Sequence, residues 1–303
     1  MVFLKKVSLL LLTIATRMNV LFWIIRRLNH RFKLINSIFV CYAGHERHVR
    51  HYGFKSIERF YRWNPLFLGI FKQGGSWGIV YGVSATEKSI LKKANRNELV
   101  NLVNRANAIA SQLGVNQVNY GGILPSLLFS IDLLPDDSHN DKAGLIVSKA
   151  YESLSKELYS ESVPVILLGG AGSVGKYTHQ WLVKNNVEVH IVDPAVGNTE
   201  IPHFLRGRNA VVIDTARKSC LRQYKDQFWP EMAILNETFP APSRRTVADL
   251  SDRGLSVYHL SGVTGKCLPS LPFGYRNSIP CCAIHNIDSQ IEPVIIQLPP
   301  QNS

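Results

Sequence analysis

No aspartate or glutamate occurs before Glu46, so Lys5, Lys6, Arg17, Arg26, Arg27, Arg31 and Lys33 have no acidic neighbour in sequence. Those seven cations make up more than half of the net charge of +12, and they are gathered in one apolar segment. A nucleic-acid reader spreads its basic residues over a surface, so nucleic acid is excluded as the partner. The pattern suits an anionic membrane surface or an acidic protein. There is no C-x-x-C pair either. The five cysteines (Cys41, Cys220, Cys267, Cys281 and Cys282) are odd in number, and a vicinal pair such as Cys281-Cys282 makes a strained disulfide. This excludes a secreted disulfide scaffold and a cysteine zinc site, and points to a reducing, cytoplasmic compartment.

Uninterrupted hydrophobic runs of membrane-spanning length are missing as well. The apolar segment Val7 to Ile25 is broken by Ser8, Thr13, Thr16, Arg17 and Asn19, and an arginine near mid-bilayer is costly. Ala15-Thr16-Arg17-Met18 is a poor signal-peptidase site. An interfacial helix on the inner, cytoplasmic face of a membrane is the favoured reading, ahead of a true span or a docked core helix. No H-E-x-x-H motif is found. His45, His48 and His51 recur every third residue and drift round a helix, so no metal site is expected. Internal repeats and low-complexity tracts are absent too.

What the chain does contain is 303 residues, 46% hydrophobic and 18% charged, enough for two folded domains. Its organising stretch is Val163 to Asp193, VPVILLGGAGSVGKYTHQWLVKNNVEVHIVD. Val163 to Leu168 reads as a buried parallel strand. Gly170, Gly172 and Gly175 follow in G-x-G-x-x-G register, then a helical pattern through Val174, Tyr177, Trp181 and Leu182, then a second strand ending on Asp193. Glycines in this register make a tight turn, let backbone approach a pyrophosphate and let helix pack on strand. The N–H groups of Ser173, Val174 and Gly175 then open the helix, where phosphate binds well. Asp193, about 18 residues past Gly175, is placed to accept from the ribose 2′-hydroxyl of NAD.

These features predict an α/β chain: an N-terminal α/β substrate domain, then a Rossmann-type parallel sheet with helices on both faces. The expected boundaries are 1–35 for the basic membrane-associating segment, 36–160 for the substrate domain, 161–289 for the dinucleotide domain and 290–303 for an irregular tail with three prolines. Residues 64–90 read as strands or strand-like turns. Asn97 is a candidate cap for a helix ending before Gly114, and Leu145 to Leu158 reads as a second amphipathic helix. Gly121-Gly122 lies in an apolar setting suited to close approach. Later strands end on Asp214-Thr215-Ala216 and on Asn236-Glu237-Thr238. Thr215 therefore joins the cofactor-binding set at the carboxyl edge of the sheet. Only about 16 residues separate Asp193 from the next strand, so part of the dinucleotide half is trimmed.

Over residues 36–285 the chain resembles the cyanobacterial long-chain acyl-[acyl-carrier-protein] reductases, which form fatty aldehydes from acyl thioesters with a nicotinamide cofactor. Ala43-Gly44-His45, Gly121-Gly122, the Gly170-to-Gly175 loop with Trp181-Leu182, Ile234 to Pro240 and Tyr258 to Cys267 match its motifs in order. Ile279-Pro280-Cys281-Cys282-Ala283 falls where that family carries its nucleophilic cysteine. The resemblance implies a nicotinamide-dependent oxidoreductase acting through a cysteine acyl-enzyme on a thioester of acyl carrier protein or coenzyme A. Cys282 is then the nucleophile and Cys281 its alternate, with Cys267 weaker. That family uses NADPH, whereas Asp193 would repel a 2′-phosphate and favours NADH.

Thiol chemistry needs a lowered pKa, so Pro280 as a helix start, with Arg276 and His285 nearby in sequence, would activate the pair. His259 and His285 are candidate proton donors. Two alternatives stand beside the reductase. One is a membrane-associated NAD(H) sensor without catalysis; the other is a dehydrogenase of a small polar substrate.

Overall fold

The computed structural model describes residues 2–15, 19–44, 49, 52–135, 138–217, 220–271, 275, 278–285 and 291–299. The chain divides into two compact α/β units. One comprises Met1–His139 with Gly265–Gln290, the other Asn140–Thr264 with Ile291–Ser303. The expected boundary at residue 160 moves back because the helix α4, Ser138–Tyr159, packs with the strands that come after it in the chain. Its Tyr151 hydroxyl donates to the Val163 carbonyl, and Asp141 accepts from Trp181 Nε1 at 2.9 Å.

In the first unit the described residues of the basic apolar segment form the helices α1 (Val2–Ala15) and α2 (Asn19–Phe32). No helix among the described residues is long and apolar enough to cross a membrane. Both helices are tied to the body of the unit. In α1, Thr13 Oγ1 accepts from the Phe67 N–H at 2.9 Å, and Leu9 is buried. In α2 the Asn29 amide donates to the carbonyls of Ile35 (2.9 Å) and Leu113 (3.2 Å), and its oxygen accepts from the Ile35 N–H at 2.7 Å.

Strands β1 (Ile35–Ala43), β2 (Leu66–Gln73), β3 (Ser76–Thr86) and β4 (Gln117–Tyr120) form a sheet with β10 (Lys266–Leu268) in the order β10-β2-β3-β1-β4. β1 runs parallel to β3 and β4, while β2 is antiparallel to β3. Helix α3, Arg96–Leu113, ends at Gly114 in the left-handed region (φ 68°), the usual glycine stop. Asn95, rather than Asn97, holds its N-cap position.

In the second unit β5 (Val165–Leu168), β6 (Val189–Val192), β7 (Ala210–Asp214), β8 (Met232–Asn236) and β9 (Ser256–Thr264) pair in parallel in the order β6-β5-β7-β8-β9. Ile166, Leu168, Val212, Ile234 and Val257 are fully buried or nearly so, which is why these strands read as unbroken apolar runs. After Asp193 the chain makes two short 3-10 turns, Pro194–Val196 and His203–Leu205, and returns as β7. The strand order therefore reverses between β5 and β7, the place where open α/β sheets bind ligands.

The tail corrects the expectation of an irregular arm. Its segment Pro293–Gln297, β12, pairs antiparallel with β9. Proline is tolerated there because it occupies the first residue of the strand. The sheet is thus mixed rather than wholly parallel. Residues 265–289, expected in the dinucleotide domain, belong to the first unit, where β10 pairs with β2. β11 (Ser278–Ile279) and the 3-10 turn Cys281–Ala283 come after it.

Candidate functional site

β5 ends at Leu168 and the glycine turn delivers the chain to α5, Ser173–Lys184, with Gly172 at its N-cap. The three motif glycines have different neighbours. A Cβ on Gly175 would lie 2.2 Å from the Gly169 carbonyl oxygen and 2.9 Å from Thr215 Oγ1. One on Gly170 would strike Ile191 of β6 at 2.7 Å, whereas one on Gly172 meets only the Gly169 oxygen, at 3.2 Å. Gly170 and Gly175 therefore serve packing, and Gly172 keeps the outer side of the turn open. The first N–H with a carbonyl partner four residues back is that of Lys176, which donates to Gly172 at 2.9 Å. The N–H groups of Ser173, Val174 and Gly175 precede it and have no helical carbonyl to meet.

Asp193 is nearly buried, 9% exposed. Its Oδ2 accepts from the Ala171 N–H at 3.0 Å and its Oδ1 from the Ala195 N–H at 2.9 Å. The acid thus braces the glycine turn. An ionised carboxylate has about four lone-pair sites, so acceptor capacity for a ribose hydroxyl is left over. Thr215 differs from its assignment. Its hydroxyl donates back to the Leu168 carbonyl at 2.9 Å, with Gly169 oxygen at 3.3 Å. It positions the turn from behind.

Further along the same carboxyl edge, Asp214 and Asn236 are fully buried and His259 nearly so. The Asp214 carbonyl accepts from the Glu237 N–H at 3.0 Å. Burial, and then the Asp214 charge, push the Glu237 carboxyl up to about 7. Burial likewise pushes the Cys220 thiol up to about 12, with Asp214 adding to it. His259 Nδ1 lies 3.0 Å from Asn236 Nδ2, from which it accepts when bare, and 3.2 Å from the Asn236 carbonyl, to which it donates when protonated. Burial lowers the His259 pKa, against the opposing pull of that carbonyl. Glu237 is thus better suited than His259 to carry a proton at this edge, and the sequence marked it only as a strand end.

In the first unit Cys281 and Cys282 are half-buried and occupy a single 3-10 turn that begins after Pro280. The expected activating helix does not form. One turn carries no appreciable macrodipole, and the Asn119 amide draws away the next carbonyls, those of Ala283 (3.0 Å) and Ile284 (3.1 Å). His285 is a strut: its Nε2 lies 2.6 Å from Ser76 Oγ, its Nδ1 3.3 Å from Ser37 Oγ, and its N–H donates to Gln73 Oε1. Arg276 lies outside the described residues, as do His45, His48 and His51.

Burial pushes Cys41, within β1, up to about 12, and Cys282 and Cys267 are close enough to raise it further. Cys267 in β10 is also pushed up to about 12 by burial. A Cβ on Gly121 would come within 3.4 Å of Cys41 Cβ, so the Gly-Gly turn borders this residue. Cys41 carried no site role in the sequence because it lies within an ordinary apolar strand, β1.

No family model matches the chain, and no curated protein matches it. What the site can do is set by its own atoms. The open Gly172, the three unengaged N–H groups and the residual acceptor capacity of Asp193 fit a dinucleotide: pyrophosphate at the α5 N-terminus, ribose at the end of β6. Among the described residues no group of three His, Cys, Asp or Glu side chains could hold a metal ion.

Proposed function

We propose that this protein is a nicotinamide-dependent oxidoreductase that reduces a long-chain acyl thioester, carried on acyl carrier protein or coenzyme A, to an aldehyde. The observation that carries the cofactor half is the start of α5, where three N–H groups lie beside the open Gly172 and the Asp193 carboxylate. Ser173, Val174 and Gly175 would hold the pyrophosphate and Asp193 a ribose hydroxyl. The negative charge of Asp193 selects NADH over NADPH. The cofactor, when bound, supplies a hydride.

The substrate half rests on the resemblance and on the cysteine turn. The Cys282 thiolate attacks the thioester carbonyl, the carrier thiolate leaves with the electron pair of its C–S bond, and that thiolate takes up a proton. The carbonyl carbon of the acyl-cysteine then accepts the hydride, its bond to Cys282 breaks, and aldehyde departs with the thiolate restored. Cys281 is the alternate nucleophile.

The second reading is an NAD(H)-binding sensor without chemistry. It is favoured by the single 3-10 turn that stands at Cys281–Ala283, among the described residues, in place of an activating helix. Intact-mass spectrometry after incubation with a long-chain acyl thioester separates the two. An adduct absent from Cys282→Ser and released as aldehyde on adding NADH supports the reductase. No adduct on protein that binds NADH sinks it and leaves the sensor.

A further inference from the structure

Neither cofactor nor thioester explains the outward faces of α1 and α2. Leu4 is 70% and Leu11 59% exposed on α1, Trp23 60% and Phe32 57% on α2. The spacing is regular. Leu4, Leu11 and Leu12 share one helical strip, and Ile24, Leu28 and Phe32 share another. These helices are not loose ends. Leu9, Thr13 and Asn29 are buried on their opposite faces, so the fold holds hydrocarbon outward.

Cations lie among those side chains. The Arg27 guanidinium sits 5.4 Å from the Trp23 ring centre and that of Arg31 5.8 Å from Phe32. Lys5 and Lys6 are turned onto the rings of Tyr52 and Phe54. They help fasten α1 and leave the outward charge mainly to Arg27, Arg31 and Lys33, all exposed. Beside α1 is an open hollow of about 730 Å³ lined by Leu10, Ile14, Ser56, Ile57, Arg59 and Phe60. It extends the apolar strip of α1 and adds another arginine.

We propose that α1, α2 and this hollow dock the protein on an anionic lipid bilayer, with the leucines and rings in the acyl boundary and Arg27, Arg31 and Arg59 against lipid phosphates. Interleaved hydrocarbon and cation is the chemistry of an interfacial helix. A second copy of the chain would set the same cations face to face. An acidic protein would neutralise the charge and leave the leucines wet. A bilayer with anionic headgroups satisfies both. The proposal is independent of the reductase reading, because its readout is lipid binding alone.

The test is flotation of the full chain with vesicles of phosphatidylcholine alone and of phosphatidylcholine mixed with phosphatidylglycerol. Strong binding to the mixed vesicles, weakened by salt, is expected. At the usual gain per juxtamembrane cation, Arg27→Gln, Arg31→Gln and Arg59→Gln together should weaken it about a hundred-fold. These side chains are exposed, so the melting temperature should not change. Trp23→Ser with Leu28→Ser and Phe60→Ser should weaken partition into both vesicle types. Failure of the native chain to float, or equal binding by the charge variant, overturns the proposal. A dimer in sedimentation that the apolar variant dissociates, without flotation, would assign the face to a second copy.

Discussion

Replacing either of two motif glycines with alanine separates the packing role of the glycine turn from its ligand role. Gly175→Ala sets a methyl 2.2 Å from the Gly169 carbonyl oxygen and 2.8 Å from Gly170 Cα. Both neighbours are backbone, so β5 and α5 must move apart. Overpacking of this kind costs about 1–3 kcal/mol, occasionally more, while alanine in a helix recovers about 1 kcal/mol over glycine. Because the clash is with main chain, the upper end of the range applies, and a net loss of about 2 kcal/mol is expected. For a unit of this size that lowers the melting temperature by about 4–8 °C.

Gly172→Ala behaves differently. Its backbone (φ −70°, ψ 167°) suits any residue, and its single contact at 3.2 Å asks for a shift of tenths of an ångström. Its melting temperature should stay within about 2 °C of the native value. The new methyl, however, stands where pyrophosphate must approach the N–H groups, so NADH affinity should drop at least about ten-fold. Thermal unfolding and fluorescence titration with NADH read the two effects. If Gly172→Ala binds NADH as tightly as the native chain, no phosphate passes over that turn and the dinucleotide assignment is wrong.

Asp193→Asn removes the charge and keeps only one of the two acceptors that brace the loop, its NH2 facing the other N–H. The preference for NADH over NADPH should shrink about ten-fold in paired titrations; an unchanged ratio would leave Asp193 with a bracing role only. Glu237 makes a pH prediction. Its folded carboxyl keeps its proton to about 7, whereas unfolded glutamate titrates near 4.3. The folded state therefore holds the extra proton across that window, so stability falls as pH rises through it and does not recover above. Glu237→Gln should remove this fall, bringing its urea midpoint above the native one at about pH 8 and level with it at about pH 4. Parallel pH profiles for the two proteins would refute the burial argument.

The parts of the fold written in local chemistry were legible. Four apolar residues, a glycine turn and a helical pattern define β5 and α5 whatever surrounds them, and Gly114 marks the end of α3 by itself. Pairings between distant segments were not. Three prolines hid β12, because nothing in residues 293–297 reveals that β9 offers them an open edge. Lys266–Leu268 looks like an extension of β9 until β2 is seen to pair with it. At the candidate site the strand-to-helix glycine turn was legible, but Thr215 faces back into it because its hydroxyl has carbonyls to meet there. Pro280 carries the local mark of a helix start. Asn119, far away in sequence, takes the carbonyls near its end.

The first unit is interrupted by nearly all of the second, and this sets an order for its completion during synthesis. β1, β2, β3 and β4 leave the ribosome early, yet the outer edge of β2 waits for β10. Ser37, Gln73, Ser76 and Asn119 wait for residues 283–285. Until then buried polar groups of the nascent sheet lack the partners they have in the finished protein. A nascent chain halted anywhere between residues 140 and 264 would hold a first unit without its closing segment, open to proteases and to chaperones that recognise unpaired strand edges.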